Sequence, residues 1–339
     1  MNALPVELKS VMQAAGSVDY QVAMAAQREF AKALELPAKK GIQAGNNLGN
    51  IFEVTDFEPG QQIEYPTDPL APGTENQFVA YTMPNAGRIP NRHVQGDYVA
   101  VPVYWISDSV DTHLQYVQDG RFDVVRRLFQ ILEGCFVAKL NRDGWRVIIT
   151  AAANRNIQIY DDTSGLAAGQ FTPRLVALMM TSMRRYAGGN FKSMGKARLT
   201  DLYMSPECAG DMRTWSATFA DDFTRREMFV SGEGELAVPS IFGVKLHVLD
   251  ELGVGQEYQN FFTNAVVHGG LGGTLSDSNT ELLVGLDLSI RDSFVQPVRQ
   301  PLQITEDPTL HRENKIGWYG RMRTGFAAIT NRRCLLGSC

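Results

Sequence analysis

The sequence has 339 residues, 44% hydrophobic and 20% charged, and can bury the core of a globular protein of about two domains. Its net charge of -5 argues against a protein that captures nucleic acid through a surface of clustered Lys and Arg. The four cysteines show no Cys-x-x-Cys or Cys/His ligand spacing, which favours a reduced intracellular chain. No secretory signal opens the chain and no apolar run approaches the roughly 20 residues that span a bilayer, so we expect a soluble protein.

The first stretch of the chain predicts an N-terminal arm. Residues 5–36 have a helical pattern that divides at Gly16 and Ser17 and closes at Pro37. The second part of this pattern is rich in alanine, so we expect it to need a partner surface. The glycine-rich residues 41–49 predict a flexible joint.

Residues 50–104 predict an extended hairpin. The runs 78–81 and 98–101 are short and strand-like, and they flank a long polar tip. Such an arm buries little of itself, so it lies either on its own domain or, as we expect, on another molecule. The basic residues of the tip either pair with a neighbouring subunit or stay solvated. They are Arg88, Arg92 and His93.

Residues 111–145 carry the strongest pattern in the chain. Apolar residues recur at steps of three and four, which is the period of one helix face. The pattern predicts a long helix that begins near Phe122 and ends at Gly144, where glycine can take the left-handed C-cap conformation. Further apolar residues widen the stripe, so we expect the helix to be deeply buried or packed on two sides. Its predicted core residues are Val125, Leu128, Leu132, Phe136 and Leu140.

The rest of the chain alternates strands and helices. Thr172 and Ser205 each precede a proline, and a capping residue followed by proline predicts a helix start. Glycine turns then separate further strand candidates up to residue 300. Residues 316–336 predict two closing strands joined at Thr330 and Asn331.

The chemical motifs are weak. Asp161 and Asp162 could hold a divalent metal, but an Asx-type turn is favoured because no third acid or basic pocket accompanies them, and the same holds for Asp221 and Asp222. The glycine-rich run 268–273 matches neither phosphate-binding loop pattern. No histidines have the i, i+4 spacing, and no serine or cysteine has a nucleophile signature. We therefore expect no catalytic residues, cofactor or metal site.

The order of these elements resembles the major capsid proteins of tailed bacteriophages, the Hong Kong 97 fold, which encapsulins share. GDYVAVPVYWI at 96–106 is similar to the passage from the extended loop to the spine helix. The strand running into SPE at 199–208 is similar to a strand-to-helix step of the axial domain. IFGVKLHV at 241–248 resembles the segment before the loop near the symmetry axis, and 318–331 resembles the closing strands of the peripheral domain. The resemblance covers residues 45–337.

The resemblance implies an α+β chain in four parts. These are an N-terminal arm (1–49), an extended hairpin loop (50–104), a peripheral domain with the spine helix (105–150 and 300–339) and an axial α/β domain (151–299). Copies of the chain would form hexamers and pentamers of an icosahedral shell around double-stranded DNA, without sequence-specific binding. Such a protein belongs to the virion and is assembled in the host cytoplasm.

The implied partners are a portal, an accessory cement protein and a separate scaffolding protein, since only 45 or so residues precede the loop. Some members of the family join subunits through a loop lysine and an asparagine. No lysine occurs between Lys40 and Lys139, so we expect a non-covalent shell.

Two alternatives stay open. An encapsulin-type nanocompartment would have the same fold and an enzyme cargo. A soluble α/β enzyme would use Asp161, Asp162 and a histidine, and would form only a small oligomer.

Overall fold

The computed structural model describes most of the chain. The described residues are 10–11, 14–15, 17, 20–45, 47–66, 98–119, 121–154, 158–161, 170–186, 197–215, 240–267 and 281–339. The chain divides into two compact units. Unit 1 comprises residues 1–63, 100–144 and 295–327, and unit 2 comprises residues 64–99, 145–294 and 328–339.

The described residues form six α-helices and thirteen strands. The helices are α1 (Tyr20–Gly45), α2 (Leu114–Gln118), α3 (Phe122–Ala153), α4 (Pro173–Tyr186), α5 (Pro206–Thr214) and α6 (Glu257–Phe261), and α6 continues as a π-helical segment over Phe262–Val267. The first strands are β1 (Glu53–Asp56), β2 (Glu64–Pro66), β3 (Tyr98–Ala100), β4 (Tyr104–His113), β5 (Gln158–Tyr160), β6 (Asp201–Met204), β7 (Ser240–Ile241) and β8 (Val244–Val248). The later strands are β9 (Leu282–Leu286), β10 (Phe294–Glu306), β11 (Lys315–Thr324), β12 (Ala327–Ala328) and β13 (Cys334–Ser338).

Unit 1 is built on a sheet of order β1-β10-β11-β4, with β12 paired to β10. β1 runs parallel to β10, whereas β10, β11 and β4 are antiparallel neighbours. Alternation along β11 buries Trp318 and Met322 on one face and leaves Arg321 exposed on the other. A Cβ atom at Gly320 would lie 2.8 Å from Phe136 Cε2, so glycine allows α3 to pack closely on this strand.

The long helix α3 starts at Phe122 as predicted, but Gly144 does not end it. The helix continues to Ala153 because Trp145, Ile148 and Ile149 extend its buried stripe. Gly144 is needed for packing rather than for a C-cap, since an added Cβ atom there would overlap Leu48 Cδ1.

The predicted core residues of α3 differ in burial. Four of them are buried, and they are Val125, Leu132, Phe136 and Leu140. Leu128 is only half-buried. Ile131 is 50% exposed and Cys135 is also exposed, so within one subunit the helix has one covered face and one open face. Deep burial is not seen along this open face, whereas elsewhere the helix lies against two elements, with Phe136 beside Gly320 of the sheet and Val137 beside Gly45 of α1.

The predicted arm also needs correction, because α1 runs through Pro37 to Gly45. The arm packs on its own unit: the Phe30 ring lies 5.6 Å from the Trp318 ring and 5.9 Å from the Phe129 ring, between centroids. The predicted flexible joint is the last turn of α1 followed by a 3-10 turn in which Leu48 is fully buried.

Unit 2 contains a sheet of order β5-β13-β9-β6-β8-β7. β13 lies between β5, to which it is parallel, and β9, to which it is antiparallel. The predicted closing pair is therefore wrong, because residues 334–338 join this sheet instead of pairing with β11. Residues 328–339 belong to unit 2, whereas the predicted peripheral domain grouped them with residues 300–327. All five residues of β13 are buried, as suits a central strand covered on both faces.

Two helices of unit 2, α4 and α5, begin where the capping motifs predict. The Ser205 side chain accepts a hydrogen bond from the Cys208 backbone N–H, and Thr172 Oγ1 accepts one from the Leu175 backbone N–H at 3.3 Å. α4 and α5 bury apolar residues in one core with the sheet. Its large members include Phe171, Met179, Met183, Leu202, Met212, Trp215, Leu246 and Leu335.

The predicted hairpin is described only at its base, where β2 and β3 form a two-stranded ribbon. The Val101 backbone N–H donates to the Ile63 carbonyl at 3.0 Å next to it. The predicted strand at 78–81 and the polar tip lie outside the described residues.

Candidate assembly surface

The Asp161 carboxylate contacts residues at the start of α4. Its Oδ2 atom accepts a hydrogen bond from Thr172 Oγ1 at 2.9 Å, and its Oδ1 atom lies 3.6 Å from Arg174 Nη1. The carboxylate thus supports the start of α4. Its sequence neighbour Asp162, the Asp221 and Asp222 pair and the glycine-rich run 268–273 lie outside the described residues.

A second polar group joins two strands of unit 2. His247 Nε2 and Asp201 Oδ1 are 2.8 Å apart, and the His247 ring stacks on Tyr203 at 4.7 Å between centroids. Burial alone would raise the pKa of Asp201, but hydrogen bonds from His247 and Thr200 and the charges of His247 and Lys245 lower it below its ordinary value. These contacts hold the His247 imidazole against the sheet. Asp201 and His247 therefore form a structural pair between β6 and β8.

The described ranges contain neither a metal-binding cluster nor a membrane-spanning helix. Within them, no group of three or more His, Cys, Asp or Glu side chains could hold a metal ion. None of the helices found there is long and apolar enough to cross a membrane.

The outer face of the unit 1 sheet carries an exposed aromatic residue between basic ones. Trp105 is 51% exposed, and the Arg321 and Arg323 Cζ atoms lie 5.8 Å and 5.6 Å from its ring centroid. The register brings them together, because Trp105 lies opposite Arg323 and Ser107 lies opposite Arg321. We call Trp105, Arg321 and Arg323 the sheet surface. Tryptophan and arginine are enriched among residues that dominate protein–protein binding, and cation–π contact orients both groups.

Further apolar side chains are exposed on short strands. Tyr98 is 68% exposed and Val99 is 43% exposed on the β2–β3 ribbon of unit 2, and Val54 is 56% exposed on β1 of unit 1. β1 and β4 are the end strands of the unit 1 sheet order. Open strand edges with exposed apolar residues are suited to contact with another chain.

The sheet surface was not found from the sequence. The predicted contact residues Arg88, Arg92 and His93 lie outside the described residues, so the structure neither brings them to the surface described above nor separates them from it. Trp105 and Arg321 are far apart in the chain, and only the β4–β11 pairing makes them neighbours.

Solved structures share this architecture. A chain of Microbacterium phage Oxtober96 superposes with a TM-score of 0.55 at 12% identity, over 86% of this chain and 90% of that chain. The capsid structure of cyanophage P-SCSP1u gives a TM-score of 0.55 at 10% identity, over 86% of this chain and 87% of that chain. The capsid of Myoviridae phage XM1 gives 0.50 at 11% identity, over 86% and 90%.

The chain has the Hong Kong 97 capsid fold. This fold confirms the predicted α+β class and the resemblance given by the order of the elements. No protein-family model and no curated protein matches the sequence. At 10 to 12% identity the likeness to the phage structures is one of fold.

Proposed function

We propose that this chain is the major capsid protein of a tailed bacteriophage. Many copies form the hexamers and pentamers of an icosahedral shell that encloses double-stranded DNA. The observation that carries the proposal is the Hong Kong 97 fold, shared along 86% of the chain with two structures described as phage capsids. The role is structural and requires no catalytic group.

The surfaces of the described units support self-association. The sheet surface and the exposed residues of the β2–β3 ribbon are unburied in the single chain. Contacts that are individually modest become strong when one shell repeats them many times. In the proposal, the tip residues Arg88, Arg92 and His93 add ion pairs to a neighbouring subunit.

The proposal also covers the partners of the protein and its location. A separate scaffolding protein guides assembly in the host cytoplasm, a portal occupies one vertex, and a cement protein reinforces the finished shell. DNA is packaged without sequence-specific binding, which agrees with the net charge of -5. The mature protein is part of the virion.

Electron microscopy of the purified protein tests the proposal. The expected result is closed shells, or free hexamers and pentamers. Discrete small particles would overturn it in favour of a soluble enzyme. A further arm expresses the chain together with the genes that neighbour its own gene. Shells that then contain an enzyme and no DNA would identify an encapsulin-type compartment.

A variant with an altered sheet surface sharpens this test. Trp105→Ala removes the exposed ring, and we expect it to lower the yield of shells or capsomers while the subunit remains folded. Thermal unfolding of the variant is the control for folding. Normal assembly of a folded Trp105→Ala protein would show that the sheet surface is not a contact between subunits.

A further inference from the structure

Unit 2 brings two thiols into direct contact. Cys208 Sγ and Cys339 Sγ are 3.4 Å apart, although the residues are 131 positions apart in the sequence. Neither cysteine is in a disulfide. The sulfur atoms of a disulfide are about 2.05 Å apart, so the two Sγ atoms must move roughly 1.4 Å closer together before the bond can form.

The elements around the pair hold both residues in place. Cys208 is fully buried in the first turn of α5, where its backbone N–H donates to Ser205 Oγ at 3.2 Å. Cys339 follows β13 and exchanges two backbone hydrogen bonds with Glu281, of 2.8 Å and 3.1 Å. Cys339 is partly exposed, and its side chain packs on the core that contains Cys208. Of the two residues, Cys339 is therefore the one with some exposure to solvent, and Cys208 is buried next to it.

We propose that Cys208 and Cys339 form a redox modification site. A small-molecule disulfide such as oxidised glutathione converts their two thiols into an intramolecular disulfide. The Cys339 thiolate attacks one sulfur of the oxidant, forms a mixed disulfide and expels one glutathione thiolate. The Cys208 thiolate then attacks the Cys339 sulfur and expels the second glutathione thiolate. The protein loses two electrons and two protons, and both reappear in two molecules of reduced glutathione.

The surroundings make this site slow to react. The hydrogen bond with Cys208, together with burial, raises the pKa of the Cys339 thiol. Only the thiolate attacks, so the rate should rise as the pH is raised above neutrality. The site thus stays reduced in a reducing cytoplasm and is oxidised over longer times outside the cell.

The bond would connect α5 to the residue after β13. Because the two cysteines are 131 positions apart, this link restrains the unfolded chain across a long loop. The modification needs only the fold of unit 2, so it can fail or succeed independently of the proposed shell.

The experiment compares four proteins. Fully reduced wild-type protein, Cys208→Ser, Cys339→Ser and Cys135→Ser are incubated with oxidised glutathione at mildly alkaline pH. Intact mass and non-reducing peptide maps then locate every bond. Cys135 is the matched control because it is an exposed thiol in unit 1.

Cys135→Ser should lose two hydrogen atoms in mass, whereas the wild type can also carry glutathione on the exposed Cys135, which the peptide map assigns separately. Wild type and Cys135→Ser should both give one peptide that links residues 208 and 339. Oxidation should raise their Tm by roughly 5–10 °C. Cys208→Ser should instead keep one glutathione on Cys339, and Cys339→Ser should keep a free Cys208. A wild-type protein that retains glutathione on Cys339, or links Cys339 to a second copy, would overturn the inference. A folded Cys208→Ser subunit keeps the test valid even if Cys339→Ser does not fold.

Discussion

At the residue scale, the Asp287 carboxylate is the centre of a buried polar group in unit 2. It is 1% exposed and accepts hydrogen bonds from the backbone N–H groups of Arg198 and Ser289, at 3.1 Å and 3.0 Å. Its Oδ2 atom also lies 3.3 Å from Arg333 Nη1, whose side chain is 8% exposed. The group ties the turn before β13 to the end of β9.

Removing the Asp287 carboxylate should destabilise the folded subunit. We expect Asp287→Ala to lower the free energy of unfolding by about 3–5 kcal/mol, because it leaves the Arg333 charge buried without its partner. Asp292 is the matched control, since its Oδ1 atom lies 3.8 Å from the same guanidinium but its side chain is 68% exposed. Asp292→Ala should cost less than about 1 kcal/mol. Denaturant unfolding measures both, and equal losses would contradict this view of the pair.

Partners of this kind could not be predicted from the sequence. Asp201 and His247 meet because β6 and β8 are parallel neighbours with Tyr203 opposite His247. Periodicity identifies each strand but does not give the register between two strands. The capping residues Thr172 and Ser205 were predictable because their hydrogen bonds lie within one helical turn.

At the element scale, two glycines of α3 should respond in opposite ways to substitution by alanine. Gly144→Ala forces a methyl group onto Leu48 and to within 3.4 Å of Phe52 Cε2, and we expect a loss of about 1–3 kcal/mol. Gly134 is exposed and an added Cβ atom meets nothing within 4 Å, so Gly134→Ala should gain about 0.5–1 kcal/mol from helix propensity. Thermal unfolding of the two variants checks the signs. A gain for Gly144→Ala would show that Leu48 moves aside at little cost.

The covered face of α3 can be tested with a charge. Leu132 is 2% exposed, so Leu132→Glu should destabilise the subunit by several kcal/mol, on the order of 3–5, through a buried unpaired charge. Ile131→Glu next to it is the control, because Ile131 is 50% exposed and a charge there stays in water. Leu128→Glu should fall between them. The measurement is soluble yield and denaturant unfolding, and normal stability of Leu132→Glu would show that this face is not core.

The errors at this scale have physical causes. Asn141, Arg142, Asp143 and Gly144 have the composition of a helix stop, but the apolar side chains beyond them are buried and continue the helix. Pro37 lacks a backbone N–H, yet it lies inside α1 because the buried Phe30 and Ile42 stabilise the helix on either side. Tertiary packing outweighed local preference in both places.

At the scale of the whole molecule, the proposed shell should be non-covalent. No lysine occurs between Lys40 and Lys139, so the extended loop region offers no amine for an isopeptide bond. Assembled protein boiled in reducing sample buffer should migrate as a monomer on a denaturing gel. The same sample treated with a lysine-reactive cross-linker supplies the reference ladder. A ladder without cross-linker would contradict the prediction.

The order of elements was predictable at this scale, because each element leaves a local pattern and the series as a whole resembles one fold. The topology at the closing strand was not. The sequence CLLGS at 334–338 suits any buried strand, and its partners in β5 and β9 are determined by the fold as a whole.

The central position of β13 has a consequence for synthesis. Leu336 lies opposite Gln158 on one side and opposite Val284 on the other, so the sheet cannot close until the ribosome has passed residue 338. Such long-range pairing is slow to form. Nascent chains stalled before residue 334 should therefore remain open to protease within β5 and β9, whereas released chains should resist it there. The unit 2 sheet is therefore completed only after β13 has been synthesised.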